Sequence, residues 1–395
     1  MIKCEVFSSF SELTPERSRW DDFAASSGAP IYVSFDWCRI WWEFYGRGRR
    51  LAVFFVLSDD QLIGLFPLYI DNTGYGPFSL RICRPVGSTE GPTRMFDPPV
   101  RADVASSAVK AVVDTLFRES MCDVVNIGPM GADHPGVVGF GSLAGDGSYR
   151  IQVKPAGVLT FFDLSKLPDD PVTMLGGSDQ KRKRYEFRYL ARHGAIETLA
   201  TGTELEVEAE FLKFARIHTE NWNVKNRPGH FKAWPNALEF HTALAKCLNS
   251  LGRLRLFKIE VASDVISNDY GYVFGRAFFW ELRARSLDSR WTKISLGSCA
   301  MISLLRRVAH ERMTCLHAGI GHYDYKVRLG AQERPAVVLR VFPKKGAVGV
   351  RVAIFTLVRG LIEILYFKIW YMRIQPLLPR CFRWPIWKFW SRMST

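Results

Sequence analysis

The chain has 395 residues, 48% hydrophobic and 23% charged, which excludes a disordered chain and supplies apolar surface for two or three ordinary domain cores. The formal net charge is +14, but Lys344 to Thr395 alone carries ten Lys or Arg against one acid, Glu363, so the tail accounts for +9 and the rest for only +5. A body this mildly basic suits an anionic ligand such as a pyrophosphate and gives no reason to expect DNA.

In chain order, Glu5, Glu12 and Glu16 come too early for a secretory leader, so the bulk of the protein is expected in the cytoplasm. Leu51 to Leu57 and Leu62 to Ile70 read as strands joined by the hairpin turn Ser58-Asp59-Asp60-Gln61. Val104 to Phe117 has helical spacing, and Asp123 to Ile127 reads as a short strand. Gly141 to Gly157 is rich in small residues and places a boundary near 160 to 175. Arg182 to Arg192 is a basic aromatic helix ended by Gly194, a solvated face or an anion site. Glu204 to Trp222 is a second helix, acidic at its start. Leu254 to Val261, Tyr270 to Phe274 and Ala277 to Leu282 read as strands, Leu296 to Arg312 as a helix, and Thr314 to Ala318 as a strand.

Hairpin, helix, strand thus occurs twice. That order predicts an α+β protein of two modules, each a mostly antiparallel sheet flanked by helices, over 1–165 and 166–340, with a tail over 341–395. Eight scattered cysteines without a C-x-x-C pair read as reduced thiols. No Rossmann or P-loop fingerprint, H-E-x-x-H or G-x-S-x-G is present, and no metal is expected.

The tail from Ala347 to Ile374 is apolar but interrupted by Arg351, Arg359, Glu363, Lys368 and Arg373. Burying such charges at a bilayer centre costs about 2.5–3.5 kcal/mol each, so a helix lying in the interface is expected over a spanning one. Trp384, Trp387 and Trp390 sit among Arg383, Lys388 and Arg392, a mixture suited to an anionic headgroup layer. The expected partner of 347–395 is therefore the anionic inner face of the cytoplasmic membrane, with a docking helix for a protein as the alternative.

Trp20, Ser34-Phe35-Asp36-Trp37, Trp41-Trp42-Glu43-Phe44-Tyr45-Gly46, Leu62-Ile63-Gly64-Leu65-Phe66-Pro67-Leu68, the Arg-rich helix, His218 with Trp222, Phe231, and Gly321-His322-Tyr323-Asp324-Tyr325-Lys326-Val327-Arg328-Leu329-Gly330 follow one another in this order. Together, over roughly 15–335, they resemble the GNAT-type acetyltransferases that include proteins of cellulose and exopolysaccharide operons, a family similar in fold to the Fem peptidoglycan-bridge aminoacyltransferases. The resemblance implies two GNAT modules with the active cleft in the second. It also implies acyl transfer from acyl-CoA to an amine or hydroxyl of an envelope or polysaccharide precursor.

Such chemistry needs amides at a helix start for the pyrophosphate, a base, and a donor for developing negative charge. Ser295 as N-cap with Leu296, Gly297 and Ser298 in the first turn, and Lys293 beside them, form the candidate diphosphate cradle, an ordinary N-cap being the plainer alternative. Lys293 lies one residue farther from Gly297 than the family's loop has it. Asp324 or His322 is the candidate base and Tyr325 or Tyr323 the proton donor. His218, Trp222 and Lys326 are candidate substrate contacts. The family commonly carries an acid where this chain has His317, and another where it has His322. A catalytically silent membrane scaffold and an aminoacyl-tRNA-dependent transferase remain the alternative readings.

Overall fold

The computed structural model describes every residue except 1, 75–78, 92–93, 146, 380–381 and 383–395. Contacts divide the chain into two compact units. Unit 1 comprises Met1–Gly157, Ala233–Ala237 and Pro335–Thr395, and unit 2 comprises Val158–Lys232 and Leu238–Arg334.

The chain opens in unit 1 with β1 (Ile2–Phe7), α1 (Phe10–Leu13), α2 (Arg17–Ser26) and α3 (Phe35–Tyr45). β2 (Arg50–Ser58) and β3 (Gln61–Thr73) form the expected hairpin, with Asp59 and Asp60 both at positive φ, as a two-residue turn of primed type requires. β4 (Leu80–Pro85), α4 (Ala105–Arg118), β5 (Val124–Gly131) and α5 (Pro135–Ser142) follow. The aromatic motif residues are core here: Trp20, Trp37 and Trp41 are fully buried. Trp20 Nε1 donates to the Val33 carbonyl at 2.7 Å, and Asp21 accepts the Phe35 amide at 2.8 Å.

β6 (Tyr149–Asp163) carries the chain from unit 1 into unit 2, a strand in a stretch whose small residues pointed to a boundary near 160 to 175. Unit 2 continues with α6 (Gly177–Arg192), β7 (Ile196–Leu199), α7 (Glu204–Asn223), α8 (His230–Ala233) and α9 (Ala237–Ser250). Then come β8 (Leu254–Val261), β9 (Asp264–Phe274), β10 (Ala277–Arg285), α10 (Leu296–His310), β11 (Cys315–Ile320) and α11 (Asp324–Arg328). α7 starts at a capping box: Thr203 Oγ1 accepts the Glu206 amide, and the Glu206 carboxylate accepts the Thr203 amide at 2.7 Å. β12 (Gln332–Pro343) returns the chain to unit 1, and α12 (Val348–Ile362) follows, continuing as a π-helix over Glu363–Ile374.

The two units repeat one pattern. In unit 1, β2, β3 and β4 are antiparallel, α4 crosses over, and β5 pairs β4 in parallel before β12 adds on antiparallel. In unit 2, β8, β9 and β10 are antiparallel, α10 crosses over, and β11 pairs β10 in parallel with β6 antiparallel on its far edge. The α+β architecture of mostly antiparallel sheets flanked by helices is as the β-β-α-β order predicts.

The tail helix is apolar on both its packed and its outward sides. Val352 and Phe355 pack on Leu80, Ile82, Val124 and Phe342, Arg351 pairs with Asp123 at 2.9 Å, and Arg340 donates to Thr356 Oγ1 at 2.8 Å. The outward surface carries Val350, Leu357, Leu361, Ile364, Leu365 and Leu377, all exposed. Trp384, Trp387 and Trp390 lie outside the described residues. Among the described residues, no helix is long and apolar enough to cross a membrane.

Candidate active site

The site grows out of the parallel step in unit 2. β10 and β11 share only three register pairs, Ala277 with Cys315, Phe278 with Leu316 and Phe279 with His317, although β10 runs on to Arg285 and β11 to Ile320. Past the last pair the two facing edges lose their ladder partners, and buried backbone groups there need others. Lys326 on α11 supplies one, its Nζ donating to the Ala318 carbonyl at 2.7 Å. The ammonium is nearly enclosed, 4.2 Å from the Tyr323 ring and 4.9 Å from the Trp280 ring. Burial, with the Arg283 charge nearby, brings its pKa down to about 8.

Arg283 on β10 is the second cation. Its Nε donates to Asp269 Oδ1 at 2.6 Å, Nη1 donates to the Gly297 carbonyl, and the guanidinium lies 4.8 Å from the Trp280 ring. Trp280 Nε1 donates to the same Asp269 oxygen at 2.8 Å, so the buried carboxylate holds both side chains in place. Arg283 Nη2 is buried and has no acceptor among the described residues. An orphaned charged donor is costly in a folded protein and is the polar group here that packing does not explain.

Beside it is the start of α10. The Ser298 and Cys299 amides turn back to the Ser295 carbonyl at 2.9 and 3.1 Å, whereas the Leu296 and Gly297 amides, as first helical positions, have no intrahelical acceptor. Leu296 packs its side chain into the core with Cys299 and Ile294. A side chain at Gly297 would meet Arg285 Nη1 at 3.4 Å, so a guanidinium stands next to this turn. Ser295 does not cap with its side chain: its Oγ accepts from Arg182 Nη2 at 3.3 Å, and its amide donates to Glu186 Oε1 at 3.1 Å. Lys293 is exposed.

Tyr325 is half-buried next to this gap; burial raises its phenol pKa and the Arg283 charge opposes the rise. His322 and Asp324 stand on the exposed lip. His322 Nε2 meets Asp324 Oδ1 at 2.9 Å and its Nδ1 meets Glu333 Oε1 at 2.8 Å, and these two carboxylates raise the imidazole pKa. His317 instead lies flat on Phe279 at 4.7 Å, and burial with the Arg334 charge lowers its pKa to about 4. His218 is buried on α7, its Nδ1 2.8 Å from the Arg283 carbonyl and its Nε2 2.9 Å from His230 Nδ1. Trp222 packs edge-on against His230 at 5.1 Å. These two residues thus fasten α7 to β10 and α8.

The structure therefore gathers Lys326, Tyr325 and Gly297 around one group the sequence reading did not single out, Arg283. Glu186 and Arg285 also went unnamed. Arg283 is one of three charges, with Glu281 and Arg285, at the end of β10, so the sequence offered no signal that singled it out.

Residues 178–327 match the acetyltransferase (GNAT) domain family. Among solved structures, FemX is similar over 90% of this chain and 99% of its own, at 10% identity and a TM-score of 0.62. A C-terminal domain from Agrobacterium fabrum assigned to a lysylphosphatidylglycerol synthetase matches over 90% and 97%, at 11% identity and 0.51. L-PGS from Bacillus licheniformis matches over 87% and 97%, at 13% identity and 0.51. At such identities the likeness establishes the fold. No curated protein matches the sequence. Residues 178–327 are thus similar to a GNAT acetyltransferase domain, and the chain has a GNAT-like fold.

Proposed function

We propose that unit 2 transfers an acyl group from an acyl-CoA thioester to an amine or hydroxyl of a cell-envelope or exopolysaccharide precursor. The observation that carries this reading is the orphaned Arg283 Nη2, buried where β10 and β11 part. A donor held by Asp269 and Trp280 is already oriented before any charge develops, which is the condition for transition-state stabilisation. The attacking nitrogen or oxygen forms a bond to the thioester carbon, the carbonyl oxygen takes up the negative charge beside Arg283, and the C–S bond then breaks. Tyr325 gives its phenolic proton to the departing thiolate. His322, once neutral, takes the proton of the attacking group and leaves it between Asp324 and Glu333. The Leu296 and Gly297 amides, flanked by Arg182 and Arg285, hold the diphosphate. Isothermal calorimetry with acetyl-CoA tests this: saturable binding that Gly297→Asp abolishes is expected, and no saturable binding of any acyl-CoA by the unaltered chain would overturn it.

A second donor is favoured by one contact. Glu186 already places a carboxylate on the Ser295 amide, so the cradle carries one anion of its own. An aminoacyl ester, which presents no CoA diphosphate to this turn, avoids that conflict. Charged tRNA discharged by the protein in the presence of an acceptor, with no acyl-CoA binding, is the outcome that selects it.

The tail supports attachment to an anionic bilayer. Leu357, Leu361 and Leu365 face outward while the exposed Lys344 and Lys345 supply positive charge in the same segment, Lys368 being paired with Glu363 at 3.7 Å. Exposed apolar area of this extent beside basic residues matches a headgroup layer in both chemistry and sign. This reading puts the transferase at the inner face of the cytoplasmic membrane, where envelope precursors are assembled.

A further inference from the structure

We propose that unit 2 has a second binding site, for a free α-amino acid with an apolar side chain, in the groove between α6 and α10. The groove has a volume of about 530 Å³, within the usual range for small-molecule sites. It shares no lining residue with the gap between β10 and β11, and the inference does not depend on acyl transfer.

The charges in the groove decide the ligand. Arg184 and Arg188 are one turn apart on α6 and so stand one above the other on one wall. Both are exposed and neither forms a close ion pair among the described residues, although the Arg184 charge helps Arg306 to lower the Asp170 pKa. The third arginine is not available: Arg306 Nη2 is bonded to Asp170 at 2.6 Å while its guanidinium lies 4.6 Å from the Phe187 ring. That pair neutralises itself at the end of the groove.

Glu197 lines the groove from β7. Its register partner is Ile259 on β8, so the two side chains share a face of the sheet. Glu197 likewise makes no ion pair among the described residues. A simple anion drawn to the arginines would be repelled by Glu197, and a simple cation the reverse. A ligand carrying a carboxylate and an ammonium together satisfies both walls.

Two features fix the rest of the ligand. The floor between the charges is apolar, made by Phe187, Leu190 and Ile259, and suits a branched or aromatic side chain. Ser303 on α10, 5% exposed, also lines the groove, and its hydroxyl is buried with no partner among the described residues. A hydroxyl inside a helix usually bonds back to a carbonyl one turn earlier. This one does not, and it is left to meet a polar group of the ligand.

The test is calorimetry on the full chain with L-leucine and L-phenylalanine. L-leucinamide lacks the carboxylate and 4-methylpentanoate lacks the ammonium. Saturable binding of at least one amino acid is expected, weakened about tenfold or more by R184Q/R188Q and by E197Q, the effect of losing one charged hydrogen bond. Leucinamide and 4-methylpentanoate bind about tenfold more weakly than leucine on the same grounds. 4-Methylpentanoate binding falls with R184Q/R188Q and is strengthened by E197Q, which removes the carboxylate that repels it. The three substituted residues are exposed, and unchanged melting temperatures confirm that the variants fold. No saturable binding of either amino acid overturns the proposal, as does binding that both variants leave intact. Displacement of the amino acid by inorganic phosphate would mean an anion site only and overturns it too.

Discussion

Glu186 Oε1 accepts the Ser295 amide at 3.1 Å, so α10 begins with its leading amide held by a carboxylate from α6. The same carboxylate pairs with Lys183 and accepts from Arg182 Nε at 3.1 Å and Cys299 Sγ at 3.4 Å. A buried anion at a helix start is stabilised by the N-terminal amides and by the helix dipole. Burial pushes the Glu186 carboxyl up, but Lys183 and the Ser295 amide outweigh it and the net pKa is lowered.

Glu186→Ala leaves the Lys183 ammonium buried without its carboxylate and is expected to destabilise unit 2 by about 3–5 kcal/mol, read from urea unfolding. A lowered folded pKa contributes stability above the unfolded carboxylate value, near 4.3, and loses it as pH falls through the folded value. The stability gap between the unaltered chain and Glu186→Gln should therefore close in acid. A gap that stays constant down to acid would rule out ion pairing as its source.

Arg283→Lys keeps a positive charge for Asp269 but removes the Nη2 donor and the contact with the Gly297 carbonyl. With transfer followed by thiol release, kcat is expected to fall by about 10²–10³, the usual effect of losing one oxyanion donor, while KM for the acyl donor changes little. Equal losses in binding and turnover would instead make Arg283 a ground-state contact. A collapse of the melting temperature would make it a structural clamp.

The regular elements were legible because local chemistry decides them. β8 spans Leu254–Val261 as its apolar alternation predicts, and α7 starts where Thr203 and Glu206 cap it. β6 was not legible, since its glycines and exposed residues up to Gly157 look like a linker and only partners distant in sequence make it a strand. The site was half legible. Gly297 and Lys326 announce themselves by motif, but Glu186 reads as one acid in a basic helix until folding sets it against Ser295. The tail was read as an apolar, charge-interrupted helix lying in the interface, and which residues pack inward was not legible. Arg351 turns in to Asp123, and Leu357 and Leu361 turn out.

Lys326 predicts an alkaline signature. Its folded pKa of about 8 lies below the unfolded lysine value near 10.4, so the unfolded chain holds more protons between those values. Stability therefore rises with pH across that window. Lys326→Met removes the proton difference, and the unaltered chain should gain stability relative to it between about pH 8 and 10.4. A difference that is flat there would mean the ammonium is not enclosed.

His322 predicts the opposite slope. Asp324 and Glu333 raise its pKa, so its contribution is complete below the ordinary value near 6.5 and is lost as pH rises through the folded value. A nuclear magnetic resonance titration should find its midpoint above 6.5, moving down in Asp324→Asn. If His322 takes the acceptor's proton, the transfer rate climbs with pH through that same midpoint, and His322→Gln flattens the climb. A midpoint at or below 6.5 would dissolve the link between the lip and the rate.

Truncating the tail is a poor test of membrane attachment, because Val352 and Phe355 belong to the core of unit 1 and Thr356 accepts from Arg340. The informative change is on the outward surface. Leu357, Leu361 and Leu365 are each at least half exposed, so replacing all three with Gln leaves the packed face untouched. Burying a leucine in an apolar phase is worth about 1.5–3 kcal/mol, so even partial insertion of three makes partition depend strongly on them. Sedimentation with anionic vesicles should show the triple variant at least about tenfold weaker in binding, with an unchanged melting temperature. Neutral vesicles should bind the unaltered chain less well, since the lysines lose their counter-charge. Equal pelleting of both proteins would remove the bilayer as the partner of this surface.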